Sequence, residues 1–364
     1  MKNIFNSIVI ITIAFLLISL FDLTCKKPYT EISKNKEISD REMWFSLINF
    51  EKFMVQNEDD EYGYKRMEGY PLYLADIAAT YFYLYLYTQN DYYRRKLLRV
   101  GEYILKIRNN DWSWDSYPDG IPNALYNCVF SDRFLAIYKI EKDKKYLNFS
   151  KNTIERINNS PLSPVYNGSF KIFLSILKYC YYSGDRSPNY LDSEYKHFKY
   201  AISGFSPSSG KWYYSEEKKK RDFYDGHSAF YQLVMIYNFL ENLEEVKIIF
   251  PGIYHEMVNL LPIMISTPLK YLTPFSTFFY SKDIQDYTES AGIVLITLLK
   301  YDQKFKTNHI IQINNAKKTI LKRQGSDSNG GFWTIIDGKL QTNLFYSDSI
   351  GKSLAQYFCL LYYR

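Results

Sequence analysis

The sequence predicts an all-α protein, a toroid of helical hairpins of the (α/α)6 type with short β-hairpin connections. Three observations carry that prediction. Apolar residues recur at helical spacing through most of the chain, the helical segments come in pairs joined by short polar turns, and aromatic segments rich in turn formers separate some of the pairs. The pairs repeat loosely, with a period of roughly 35 to 60 residues.

An opening helix spans Met43 to Gln56. The first hairpin runs from Pro71 through Leu72-Tyr73-Leu74-Ala75-Asp76 to Tyr87, turns at Thr88-Gln89-Asn90-Asp91 and returns from Tyr92 to Ile107. A second begins near Asn123, turns around Glu141-Lys142-Asp143 and returns to Ile157. The third begins at Tyr166, turns near Ser183-Gly184-Asp185 and returns through Tyr190 to Ile202. Units four and five start at Asp225 and Thr288, and a lone helix runs from Ser347 to Tyr363. If that last helix pairs with the opening one, the set closes into a ring that buries the apolar stripe of every helix and leaves no exposed end.

Three connecting segments have another rhythm: Asp111-Trp112-Ser113-Trp114, Gly210-Lys211-Trp212-Tyr213-Tyr214 and Gly330-Gly331-Phe332-Trp333-Thr334. They read as short strands or hairpin loops. Four of the five Trp residues fall here, so these segments either present aromatic faces to a ligand at one mouth of the ring or cap the bundle end. Glu58-Asp59-Asp60-Glu61 reads as a solvated loop, and no Asp-x-Asp-Asp or Asp-Asp-x-x-Asp cluster points to isoprenoid chemistry.

At the N-terminus, Lys2 precedes an apolar run from Ile8 to Leu20, the layout of a secretory signal. The run falls short of the about 20 residues needed to span a bilayer. Residues 1–25 are therefore expected to be a signal peptide, 26–40 a charged tether and 41–364 a single toroid domain. Cys25, in Phe21-Asp22-Leu23-Thr24-Cys25, stands where a lipoprotein carries its acylated cysteine, although Asp22 and Thr24 depart from the preferred pattern. The expected location is the cell envelope, periplasmic or anchored to the membrane through a lipid on Cys25, or the secreted fraction.

Cys128, Cys180 and Cys359 are widely spaced in apolar stretches and read as buried thiols. With His197, His227, His255 and His309 they form no clustered ligand set, so neither a metal nor another cofactor is expected. The formal charge of +6 is dispersed, and the densest basic run, Lys218-Lys219-Lys220-Arg221, reads as a solvated loop or a steering patch for an anionic ligand. Nucleic acid is an unsuitable partner for an exported chain. Tyrosine, at 37 residues, is abundant enough to line a wet cleft as well as a core, and its apolar ring with a polar end suits sugar binding.

The aromatic segment at Gly210 leads into Arg221-Asp222-Phe223-Tyr224-Asp225-Gly226-His227-Ser228-Ala229-Phe230, which places Asp and His at the start of an apolar helix. This stretch resembles the α/α-toroid proteins of polysaccharide metabolism, among them the C-terminal domain of D-glucuronyl C5-epimerase and the helical domains of polysaccharide lyases. In those families a Trp/Tyr strand precedes an Asp-x-x-His-like helix start. The stretch from Gly69-Tyr70-Pro71 to Tyr93 is similar to hairpins of that epimerase and of N-acylglucosamine 2-epimerase. The resemblance extends from about residue 60 to the end and implies a toroid that binds a polysaccharide or oligosaccharide. It also implies a site on the rim where the inner helices begin.

Two further helix starts, Asp286-Tyr287-Thr288-Glu289-Ser290 and Tyr346-Ser347-Asp348-Ser349, would converge on that rim. If the polymer contains uronic acid, an epimerase or lyase must remove the proton beside the carboxylate and stabilise the charge that develops. His227 or Tyr287 would be the base, Tyr224 or Tyr346 the acid, and Lys211 or Arg221 the cation, with Trp212, Tyr214 and Trp333 stacking on sugar rings. A glycoside hydrolase would instead draw a carboxyl pair from Asp225, Glu289 and Asp348. A toroid that only binds glycan or protein would need none of these. The plainer account of Asp225, Asp286 and Asp348 is helix capping, and of Glu289 the helix dipole.

Overall fold

The structure, a computed structural model, describes residues 38–59, 63–64, 72–114, 124–278, 289–324, 330–336, 339–342 and 344–362, with backbone alone for those of them between 333 and 348. The expected signal segment with Cys25, and the tether up to residue 37, lie outside the described residues. From Ile38 onward the chain forms one compact unit. The helix starts earlier than expected because Ser39 and Glu42 form a reciprocal cap: Ser39 Oγ accepts the Glu42 N–H at 3.3 Å, and the Glu42 carboxylate accepts the Ser39 N–H at 2.9 Å. Among the described residues no helix is long and apolar enough to cross a membrane.

Helix α1 (Asp40–Gln56) is followed by three close pairs: α2 (Leu72–Thr88) with α3 (Asp91–Lys106), α4 (Ala124–Glu141) with α5 (Lys144–Asn158), and α6 (Tyr166–Ser183) with α7 (Pro188–Ser203). A one-turn helix α8 (Glu216–Lys220) precedes α9 (Gly226–Glu241), which pairs with α11 (Pro251–Leu269) across the short α10 (Leu243–Ile249). Then come α12 (Glu289–Phe305), α13 (Ile310–Arg323) and α14 (Leu344–Tyr362). Three two-stranded antiparallel ribbons complete the described fold: β1 (Glu58–Asp59) with β2 (Gly63–Tyr64), β3 (Phe205–Ser206) with β4 (Lys211–Trp212), and β5 (Trp333–Ile336) with β6 (Lys339–Thr342).

The turns follow their chemistry. Asn90 accepts the Tyr92 N–H at 3.0 Å to start α3, and Asp143 accepts the Lys145 N–H at 2.9 Å to start α5. Gly184 ends α6 in a left-handed conformation with φ of 77°. Apolar distribution then sorts the helices into two layers. Helix α3 buries one stripe, Tyr93, Leu97, Val100, Gly101 and Ile104, and so lies outside. Helix α2 is apolar nearly all round, with Asp76 its single charged residue, and lies inside.

Six inner helices close a ring. Helix α2 packs on α4, α4 on α6, α6 on α9, α9 on α12, α12 on α14, and α14 back on α2. The all-α toroid expected from the sequence is the observed fold. Outside it, α1 packs on α14 as the sixth partner. Gly351 admits the Phe50 ring there, where a Cβ would stand 1.8 Å from a ring carbon. Asp40 fastens the same junction, accepting hydroxyl hydrogen bonds from Tyr357 and Tyr362.

The segment Asp111–Trp114 takes the loop alternative, a turn closed by the Asn109 N–H on the Ser113 carbonyl at 2.8 Å. Local expectations differ in two places. Glu58 and Asp59 are not solvated loop: they form β1, and Glu58 is drawn in by Lys96 Nζ at 2.5 Å. The basic run at Lys218 is helical, since Ser215 caps α8.

Candidate functional site

Because each outer helix returns the chain, the inner helices begin at a common rim, and they enclose a central cavity of about 340 Å³. Its wall is polar at three places. Each holds a carboxylate that burial alone would neutralise and that cations or hydroxyls keep charged.

Asp132 on α4 receives Lys171 Nζ at 2.5 Å, Lys178 Nζ at 3.1 Å and the Ser175 hydroxyl at 3.0 Å. Burial raises its pKa, but the two lysines and Arg133 outweigh burial and hold it below the usual carboxylate range. Further along, Glu241 at the end of α9 accepts the Tyr83 hydroxyl and Gln356 Nε2, the latter at 3.1 Å. Burial again opposes ionisation, while Lys300, Lys178 and the tyrosine hydroxyls bring Glu241 down to about 2.

The third place lies toward the rim. Asp76 on α2 takes Lys352 Nζ at 2.7 Å on Oδ1 and the Ser349 hydroxyl at 2.8 Å on Oδ2. The side chain of Ser349 is also hydrogen-bonded to Glu289, the first residue of α12. Burial pushes Glu289 up to about 7, with the charge of Asp76 adding to that and Ser349 and Lys352 opposing it. In Asp76 burial is overcome by Lys352, Arg133 and Ser349, so its pKa is lowered. Two carboxyl groups on one hydroxyl thus have proton affinities pushed apart, the condition under which one serves as acid and the other as ionised partner.

His227 stands one turn before Tyr231, a wall residue, on the same face of α9. Its ring contacts Tyr214 at 4.4 Å and Tyr231 at 4.9 Å between centroids, and Lys218 Nζ lies 3.4 Å from Nδ1. Burial, and then the Lys218 charge, depress its pKa to about 4 against the pull of Asp225, so the imidazole is neutral at neutral pH. Glu289 likewise stands one turn before the wall residue Ile293. The structure therefore brings His227, Tyr214 and Glu289 to the same rim.

Other expected site residues are placed elsewhere. Trp212 is fully buried: its indole N–H donates to the Ala201 carbonyl at 2.8 Å and its ring meets Phe170 at 5.2 Å, so no face remains for a sugar. Tyr224 is buried, with its hydroxyl donating to Gln232 Oε1 at 2.7 Å, which removes it as an acid on the opposite face. Lys211 pairs with Asp222 at 2.8 Å, and Arg221 pairs with Glu217 at 2.9 Å on the outer surface; neither lines the cavity. Asp225 caps α9 through the Ser228 N–H at 2.9 Å and holds Lys218 at 2.9 Å, acting on His227 only as a neighbouring charge. Tyr287 lies outside the described residues, as do the side chains of Trp333, Tyr346 and Asp348. Among the described residues no group of three or more His, Cys, Asp or Glu is arranged to hold a metal ion. Cys128 and Cys180 are buried free thiols, and burial raises Cys128 to about 12.

Asp76, Asp132, Glu241 and their lysines were not among the sequence candidates. The available signal was an ionisable residue inside an otherwise apolar helix, of which Asp76 is the clearest example.

No protein-family model matches the chain, and no curated protein matches it in sequence. Solved structures do match in fold. A glycosyl hydrolase of family 88 from Bacteroides vulgatus aligns at 10% identity over 89% of this chain and 100% of that one, with a TM-score of 0.66. A sugar epimerase from a ruminal bacterium aligns at 10% over 88% and 99%, with a TM-score of 0.67. A polysaccharide lyase aligns at 13% over 90% and 99%, with a TM-score of 0.65. At these identities the likeness is one of fold, the α/α toroid shared by these carbohydrate-active proteins, and it spans three reaction types.

Proposed function

We propose that this toroid is a carbohydrate-active enzyme that admits an acidic, uronate-containing oligosaccharide to its hollow and hydrolyses a glycosidic bond, with Glu289 as proton donor and Asp76 as its ionised partner. The observation that carries this reading is the single hydroxyl of Ser349 joining the two carboxyl groups. A departing glycosidic oxygen needs a proton, and the positive charge growing on the sugar needs an anion near it. The shared hydroxyl keeps the two carboxyl groups close to one another, as a pair acting on one bond requires. The acidic substrate is favoured by the wall, where five basic side chains stand against four acidic ones among the described residues.

A second reading rests on His227. A neutral imidazole beside Tyr214, at the rim, could take the proton next to a uronate carboxylate, with Lys218 balancing the charge, as an epimerase or lyase requires. For either chemistry the N-terminal run Ile8–Leu20 supports export, with Cys25 as a lipid attachment point at the membrane.

The test is incubation with oligosaccharides of glucuronate, galacturonate and mannuronate. Hydrolysis releases reducing ends, lysis gives a product absorbing in the ultraviolet, and epimerisation brings solvent deuterium into the sugar. Reducing ends lost in E289Q and D76N but kept in H227A support the carboxyl pair. An ultraviolet or deuterium signal lost in H227A and kept in E289Q supports the second reading. Binding without any of the three signals leaves a glycan-binding toroid.

A further inference from the structure

The wall of the hollow contains polar atoms that the protein itself does not satisfy. Arg133 on α4 lines the cavity next to Asp132, whose carboxylate is already taken by Lys171, Lys178 and Ser175. Asp76 is taken by Lys352 and Ser349, and Glu241 by Tyr83 and Gln356. The remaining acid of the wall, Glu245, stands on α10, beyond the C-terminal end of α9. Buried Arg133 Nε has no hydrogen-bond partner among the described residues. Three amide oxygens of the same wall, Asn167 Oδ1, Asn242 Oδ1 and Gln356 Oε1, are likewise buried without a donor.

Buried polar groups in folded proteins are nearly always paired, so four orphans on residues that line one cavity describe the ligand that would pair them. The guanidinium asks for an anion. The amide oxygens ask for hydroxyl or N–H donors. A sugar hydroxyl satisfies any of the four, a carboxylate gives the guanidinium the stronger, charge-assisted hydrogen bond, and an apolar ligand satisfies none.

We infer that Arg133 is the specificity residue of the hollow, seating the carboxylate of a uronate while Asn167 and Gln356 accept hydrogen bonds from sugar hydroxyls. This rests on the reading of the hollow as a sugar site and adds which group selects the acid. The planar fork of arginine matches a planar carboxylate with two parallel N–H···O bonds, a geometry that the single point charge of lysine does not reproduce. Lys171, Lys178 and Lys352 cannot take this role without releasing their own carboxylates, and Lys139, the remaining lysine of the wall, is exposed and offers only a point charge.

The experiment is calorimetric titration of the full chain carrying E289Q, which holds turnover down, and of the same chain with R133K or R133A added. The probes are a glucuronate-containing trisaccharide, its carboxyl-reduced neutral counterpart, and a sulfated form of that neutral sugar. Circular dichroism confirms that each variant is folded, and R133K serves if R133A is not. The expected result is a preference of roughly 10- to 100-fold for the uronate in the parent, lost in both Arg133 variants while affinity for the neutral sugar stays within about 3-fold. Preference surviving both substitutions overturns the assignment, as does an equal loss for acidic and neutral sugars. A parent that binds both equally overturns it while leaving the sugar site standing, and one that binds the sulfated form over the uronate overturns the carboxylate. A parent that binds no sugar overturns the sugar site and the role of Arg133 together.

Discussion

The backbone N–H of Trp212 donates to the side-chain oxygen of Gln232 at 2.7 Å, tying ribbon β3–β4 to the inner helix α9. The same device recurs two hairpins earlier, where the Trp114 N–H donates to Asn127 Oδ1 at 3.1 Å. In both places the indole N–H caps a carbonyl of the preceding outer helix, Ala201 or Ile104. Tryptophan in these connections thus fastens loops to the ring.

Gln232 also accepts the Tyr224 hydroxyl and donates to the carbonyls of Gly210 at 2.8 Å and Met264 at 2.6 Å. Gln232→Ala strands four buried partners. The expected loss is about 3 kcal/mol or more in denaturant unfolding, against about 1 to 2 kcal/mol for Asn127→Ala, which frees fewer groups.

The proposed acid–base pair predicts the shape of a pH–rate profile. Glu289 must carry its proton, so activity should fall as pH rises through about 7. Asp76 must be ionised, and its depressed pKa puts the acid limb below 3.8. Measured kcat/KM from pH 4 to 9 should show the alkaline limb near 7 and no acid limb above 4. Glu289→Gln should lower kcat by roughly 10²- to 10⁴-fold and remove the limb near 7.

A pH dependence of stability follows from outer helix α7, where Glu194 and His197 are both fully buried one turn apart. Burial raises Glu194 from 4.5 to about 8 and lowers His197 from 6.5 to about 4. Between 4.5 and 6.5 the folded state holds the glutamate proton while the unfolded state gains the histidine proton, and the two slopes cancel. Above 6.5 only Glu194 acts: the folded chain binds the extra proton, so stability falls as pH rises toward 8, by about 2 kcal/mol. Urea unfolding of Glu194→Gln at pH 6 and pH 8 should show a difference from wild type that grows in favour of the variant at the higher pH.

Lipid attachment is checked at Cys25. Metabolic labelling with a fatty-acid analogue in a bacterial host should mark the wild-type chain and not Cys25→Ala, and the variant should leave the membrane fraction. Label retained by the variant would remove the anchor from the account.

Much of the ring could be read from the chain because its signals are local. The turns at Asn90, Asp143 and Gly184 carry their own capping chemistry, and the paired start and finish of the ring were visible as two unpartnered amphipathic segments. The rim positions of His227 and Glu289 were legible for the same reason, since both open helices. The charged interior was not. Asp76, Asp132 and Lys171 sit in separate hairpins, and only closure of the ring brings their charges into one cavity. Trp212 misled for the opposite reason: its composition suggested a binding face, while its hydrogen bond and packing partners, Ala201 and Phe170, come from an outer helix and a neighbouring inner helix.

Asp40, at the beginning of the folded body, meets Tyr357 and Tyr362 near its end. A ring whose first and last helices touch has no intrinsic first hairpin. A short linker joining those two helices, with new termini opened at the exposed Gly184, should give a circularly permuted protein that rebuilds the same hollow. The order in which the hairpins are strung is then a matter of genetic history, while their neighbours in space are set by which faces they must hide from water.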